Sequence, residues 1–150
     1  MFAEMEAKGY YARAALQYDR VAYKPHTLPA RLAAEHWLAL GYFEKDDLVA
    51  FLIGKERAEF YLEWMGVLPA HRQKGLGSAL LDAAFSWAAV RSLRNAVLYV
   101  AEKNAPAREF YAAHGFHVTG ESEIDGTRFM KLSRTLDRAD EASARHQRAA

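Results

Sequence analysis

Arg72, Lys74, Gly75 and Gly77 crowd into one short stretch, Val67 to Leu81, which reads VLPAHRQKGLGSALL. Before it runs an apolar segment, Ala58 to Val67, AEFYLEWMGV; after it, Leu76, Leu80, Leu81, Ala84, Phe85 and Ala88 recur at helical spacing. A strand therefore enters a basic, glycine-containing turn, and the turn opens a helix. The chemistry open to such a turn is anion binding. Glycine lets the backbone bend and come close to a ligand. The first N–H groups of a helix lack intrahelical partners, and the helix dipole favours negative charge at that end. The Arg72 and Lys74 side chains place fixed positive charge at the same spot.

The composition limits what else is open. The 150 residues fit one domain, and a hydrophobic fraction of 51% supports a real core. With 20 Lys+Arg against 19 Asp+Glu, there is no electrostatic case for nucleic acid or for an anionic membrane surface. There is no cysteine, so disulfide and thiolate chemistry are excluded. No apolar run approaches the roughly 20 residues that span a bilayer. The opening MFAEMEAKGYY carries Glu4 and Glu6 and does not read as a secretory leader. These features together lead to an expectation of a cytoplasmic protein without a metal centre.

The elements that must position the turn follow from periodicity and punctuation. Met1–Lys8 reads as helix with Gly9 as its stop, and Tyr10 to about Arg20 continues as helix. A further helix starts near Leu28, with Thr27 as cap and Pro29 in the first turn, and fades near Trp37. Strands are predicted at Leu38–Phe43, at Leu48–Ile53 ending on Gly54, and at Ala58–Val67, an antiparallel meander. After the helix from Gly75 to Leu93 come a strand at Ala96–Val100 and a helix at Ala105–His114 closed by Gly115. Strands Phe116–Glu123 and Thr127–Ser133 meet around Asp125-Gly126, a hairpin signal. The fold class is α/β (α+β), a mixed and mostly antiparallel sheet flanked by helices. Residues 1–136 form the expected single domain, and 137–150 a charged tail.

Two familiar phosphate motifs do not fit. A P-loop ends Gly-Lys-Ser/Thr, whereas Lys74 precedes Gly75 here. The dinucleotide fingerprint needs a third glycine where Leu80 stands. The full stretch Val67–Leu81 instead resembles the acetyl-coenzyme A motif of the GNAT superfamily of N-acetyltransferases, Arg/Gln-x-x-Gly-x-Gly/Ala after a V-x-P strand exit. A second block, NAPAREFYAAHGF from Asn104 to Phe116, resembles that family's N-x-x-A-x-x-x-Y-x-x-x-G-F pattern. The blocks stand in the family's order, one helix and one strand apart, and the resemblance covers about residues 38–134.

The resemblance implies an acetyl-CoA-dependent N-acetyltransferase. The pyrophosphate would lie on the backbone of Arg72, Gln73, Lys74, Gly75, Leu76, Gly77 and Ser78. The pantetheine arm would pair beside the strand ending Met65-Gly66-Val67, with a bulge that suits Gly66, and the Val67 N–H would polarise the thioester carbonyl. Direct attack on the thioester needs a neutral amine, and alkylamines, with a reference pKa of ~10.4, are mostly protonated at neutral pH. A base is therefore required. Relatives often carry it as glutamate at the positions of Tyr61 or Tyr99, and this chain departs from both. Glu63 shares the Tyr61 face by strand alternation and becomes the candidate base or water-relay anchor; its plainer role is a solvated carboxylate. Tyr111 matches the family's general acid toward the thiolate, where its plainer role is packing. Asn104 matches a cofactor contact and is equally placed to cap the following helix. His36, His71, His114 and His117 are weaker candidates.

The resemblance implies an amine acceptor. Glu121, Glu123 and Asp125 in the last hairpin would suit a cationic one such as a polyamine, an aminoglycoside or lysine, although a solvated turn explains them as well. Tyr10, Tyr11, Tyr18 and Tyr23 would line an aromatic pocket or pack on the sheet. A protein N-terminal or lysine acceptor is the alternative. From another class, the chain would be a coenzyme A-binding sensor with little turnover. Relatives begin with a short strand, while this sequence starts inside a helix. Either the sheet lacks that first strand, or the chain starts late, or a partner supplies the edge, and an uncovered edge would favour a homodimer.

Overall fold

The computed structural model describes residues 7–10, 29, 32–33 and 36–137. Six strands run in the order β1-β2-β3-β4-β6-β5. They are β1 Trp37–Glu44, β2 Asp47–Glu56, β3 Phe60–Val67, β4 Asn95–Ala101, β5 His117–Ile124 and β6 Thr127–Thr135. Helix α1 spans Leu76–Val90 and α2 spans Ala105–Ala113. The pairs β1–β2, β2–β3 and β5–β6 are antiparallel, and β3–β4 is parallel. The expected mixed, mostly antiparallel sheet is what the chain forms. The expected N-terminal helices, the tyrosine-rich face and the first-strand question lie outside the described residues, apart from fragments. At Trp37 the chain is already strand.

The chain divides into two compact units, one holding residues 35–97 and 134–150, the other 1–34 and 98–133. In the first unit, Phe60, Leu62 and Trp64 of β3 are buried. Leu52 and Ile53 of β2 and Leu80, Leu81, Ala84 and Phe85 of α1 are buried as well. Helix α1 lies against β1, β2 and β3. It ends three residues before the predicted Leu93: Ser92 turns left-handed (φ 59°) and the Leu93 N–H closes back on the Ala88 carbonyl at 3.1 Å. In the second unit Tyr111 and Phe116 are buried together with Leu98, Val100 and Leu132. The Asp125-Gly126 turn has positive φ at both residues, 47° and 75°, the geometry a two-residue hairpin loop requires.

Gly54 does not end β2, contrary to its sequence reading. The ladder passes through it to Lys55 and Glu56, which pair with Tyr61 and Phe60. Glycine is needed there for packing: a Cβ would stand 2.5 Å from two ring carbons of Phe60, a fully buried side chain. Gly54→Ala is expected to destabilise the fold by about 1–3 kcal/mol through overpacking, read as a lower denaturation midpoint with an unchanged m-value.

Candidate active site

The site begins where β3 ends. The Leu68 N–H donates to the Val49 carbonyl at 2.9 Å. Antiparallel alternation then directs the N–H and C=O of Val67, and those of Met65, to the edge of β3 that β2 does not use. On that edge Arg72 Nε donates to the Val67 carbonyl at 3.0 Å. The peptide joining Val67 to Leu68 is thus held on both sides. The β3–β4 ladder pairs Phe60 with Ala96 and Tyr61 with Val97, well before Met65 and Val67 are reached.

A 3-10 turn, Pro69–His71, then leads into the glycine segment. Gln73 and Gly75 both adopt left-handed conformations, φ 57° and 80°, on either side of Lys74. Gly75 is the N-cap of α1. The first intrahelical donor is the Ala79 N–H, bonded to the Gly75 carbonyl at 3.0 Å, so the Leu76 and Gly77 N–H groups precede the helical ladder. A Cβ built on Gly75 would meet no atom within 4 Å, and residues 72–75 are exposed. The turn offers outward donors, positive side chains and open space above the backbone, which fits a phosphate group.

His71 ties this turn to the β1–β2 hairpin. Its Nε2 donates to Glu44 Oε2 at 2.7 Å, and Nδ1 is buried without a partner among the described residues. The hydrogen bond, then the charge of His71, hold the Glu44 carboxyl below its usual 4.5, with Lys74 adding a smaller pull the same way. A depressed carboxyl contributes stability above pH 4.5 that is lost as pH falls through its folded value. Carboxyl NMR titration is expected to find the Glu44 midpoint below 4.5 and moving up toward it in His71→Ala.

Glu63 is half-buried on β3. Its carboxylate forms an ion pair with the Lys55 ammonium, the two side chains being 13% and 18% exposed for Lys55 and Glu63. The bulge expected at Gly66 lies instead at Glu63. Ile53 pairs with Trp64 and Gly54 with Leu62, leaving Glu63 as the extra residue of β3, while Gly66 pairs regularly with Phe51. The position of a bulge is set by how two strands register, which a lone glycine does not report. Lys55 also went unnoticed in the sequence. The strand read from the sequence stops at Gly54 and leaves Lys55 outside it, and its setting becomes specific only once Trp37, Lys55 and Tyr61 are known to lie abreast.

In the second unit, Asn104 Oδ1 accepts a hydrogen bond from the Ala107 N–H at 3.3 Å and so caps α2. Tyr111 is 8% exposed and lies edge-on to Phe110 and Phe116, with centroids 5.4 and 5.6 Å apart. His114 Nδ1 donates to the Phe110 carbonyl at 2.7 Å, a local bond at the helix end. Glu121, Glu123 and Asp125 are exposed, with Glu123 directly opposite Arg128. His36 and His117 are exposed as well. Of the predicted site residues, Glu63, Met65, Val67 and Arg72 through Ser78 belong to the first unit, and Asn104 and Tyr111 to the second. Among the described residues no group of three His, Asp or Glu is arranged to hold a metal, and no helix is long and apolar enough to cross a membrane.

Comparison with known proteins agrees with this geometry. A mycothiol acetyltransferase from Clavibacter michiganensis is 35% identical over 125 residues, 77% of this chain and 35% of that protein. The chain thus spans about a third of the length of that curated relative. Among solved structures, a nourseothricin acetyltransferase matches with a TM-score of 0.64 and 25% identity, over 69% of this chain and 67% of that one. A paia N-acetyltransferase from Thermoplasma acidophilum, solved in complex with coenzyme A, matches with a TM-score of 0.69 and 24% identity, over 85% and 81%; at that identity it speaks for the fold. The model of the acetyltransferase (GNAT) family matches residues 4–116, a span holding both the glycine turn and the Asn104–Phe116 block. The chain belongs to the GNAT acetyltransferase family.

Proposed function

We propose that the protein is an N-acetyltransferase that moves an acetyl group from acetyl-CoA to a primary amine by direct attack. The observation that carries the reading is the strand–turn–helix junction, with left-handed Gln73 and Gly75 and open space over Gly75. In this reading residues 1–136 act as one acyltransferase domain followed by a charged tail. Leu76 and Gly77 N–H groups donate to the pyrophosphate, helped by the charges of Arg72 and Lys74. Gln73 and Ser78 complete that cradle, and Asn104 adds a contact to the coenzyme. The edge of β3 at Met65 pairs with the pantetheine arm. Bound there, the acetyl thioester supplies the electrophile.

The Val67 N–H donates to the carbonyl oxygen as negative charge develops on it. Glu63 takes a proton from the acceptor's ammonium, directly or through water, and the neutral amine so formed attacks the carbonyl carbon. Tyr111 donates a proton to the departing thiolate. Small-molecule amines or polyamines are the favoured acceptors. The names of two relatives, a mycothiol and a nourseothricin acetyltransferase, point to small molecules in those proteins.

Free-thiol release from acetyl-CoA, measured across spermidine, kanamycin, Nα-blocked lysine and an alanine-starting peptide, tests the proposal. Amine-dependent release with a small-molecule amine is the expected result. Release with the peptide or blocked lysine only would make it a protein acetyltransferase. Tight coenzyme A binding with no release for any amine would overturn the enzyme and leave a sensor.

A further inference from the structure

Lys55 carries an ammonium that is mostly removed from water, and the structure surrounds it on three sides. Trp37, Lys55 and Tyr61 lie abreast on β1, β2 and β3. The Lys55 Nζ stands 5.0 Å from the Trp37 ring centroid and 5.1 Å from that of Tyr61, within cation–π range of both. The third side is Glu63, one step further along β3, whose carboxylate it pairs with. A lysine is rarely this buried without a partner, and a half-buried ion pair is retained only where its geometry is well satisfied.

The backbone explains why Glu63 needs such a partner. As the extra residue of a bulge it has no directly opposing residue on β2. On the β2 side no single residue stands squarely across from it to fix the direction of its side chain. The lysine provides a fixed point on that side, and the two rings that flank its ammonium hold it there.

We propose that Lys55 is a positioning residue for acetyl transfer: clamped between Trp37 and Tyr61, it fixes the Glu63 carboxylate in the orientation from which Glu63 takes the amine proton. This inference rests on the reading of Glu63 as proton acceptor. It adds a residue that acts through Glu63 without touching either substrate.

The test is a double-mutant cycle of Lys55→Met and Glu63→Gln, read by thiol release from acetyl-CoA with the amine that the panel identifies. Coenzyme A calorimetry on each variant checks folding. Glu63→Gln is expected to lower kcat about 100-fold, the scale of a lost general base. Lys55→Met is expected to lower kcat about tenfold through misplacement of the carboxylate, with the KM for acetyl-CoA unchanged. Lys55→Arg restores most of that loss, because it keeps both charge and ring contacts.

The deciding readout is the double variant. If Lys55 acts through Glu63, Lys55→Met removes nothing further from kcat in the Glu63→Gln background. An equal loss in both backgrounds makes the pair merely structural and overturns the inference while the role of Glu63 stands. A wild-type rate in Lys55→Met overturns it as well. A wild-type rate in Glu63→Gln removes the reading of Glu63, and the inference falls with it. Should Lys55→Met fail to bind coenzyme A, Lys55→Gln, which keeps a neutral donor, carries the same comparison.

Discussion

Replacing Gly75 with valine is expected to raise the KM for acetyl-CoA by about 10- to 100-fold, with a smaller change in kcat. Gly75 holds φ at 80°, and an L-residue pays roughly 1–2 kcal/mol there, more when β-branched. The strain is relieved by turning the segment away from its left-handed form. That swings the Leu76 and Gly77 N–H groups off their common target. The new side chain also enters the space above the turn, where no atom lies within 4 Å of a built Cβ. Each tenfold in KM corresponds to about 1.4 kcal/mol, so strain and obstruction together reach the stated range. Gly75→Asn separates them, because asparagine tolerates the left-handed region. A thermal midpoint near wild type with a raised KM would assign the effect to obstruction, and recovery of both would assign it to strain. An unchanged KM in Gly75→Val would remove the turn from coenzyme binding.

Tyr111 carries the second large expectation, and two substitutions divide its roles. Tyr111→Ala empties a site that is 8% exposed between two phenylalanine rings. The cost is expected near 3–5 kcal/mol, as for other buried aromatics, and shows as a large fall in the thermal midpoint. Tyr111→Phe keeps the rings and removes only the hydroxyl. If that hydroxyl donates to the thiolate, kcat falls about 100-fold while coenzyme A affinity measured by calorimetry stays at wild type. A wild-type kcat in Tyr111→Phe would leave Tyr111 as packing alone.

What the sequence disclosed was what local chemistry decides. The Asp125-Gly126 hairpin, the Asn104 cap and the glycine turn each rest on a few adjacent residues, and each stands where the residues indicate. What it concealed depends on register. Gly54 reads as a stop until Phe60 is known to lie against it. Gly66 reads as the bulge until the β2–β3 pairing skips Glu63. Lys55 reads as lying past the end of its strand until the ladder is seen to continue through Gly54 and to bring Trp37 and Tyr61 abreast of it. The polar residues of the last hairpin illustrate the opposite limit. Three acids in a row of exposed positions match a cationic ligand and plain hydration equally, because an exposed charge needs no partner to explain it.

The close approach of Phe60 to Gly54 has a consequence for how this sequence can drift. Any residue larger than glycine at position 54 collides with the ring, and any residue smaller than phenylalanine at position 60 opens a void beneath Trp87, whose ring stands 5.8 Å away. Each single change lowers stability, by about 1–3 kcal/mol for the first and 3–5 for the second, against a total margin of roughly 5–15 kcal/mol. The two positions are thus one heritable unit. Lineages that depart from it should do so at both sites together, by way of an intermediate that survives only where stability has accumulated elsewhere.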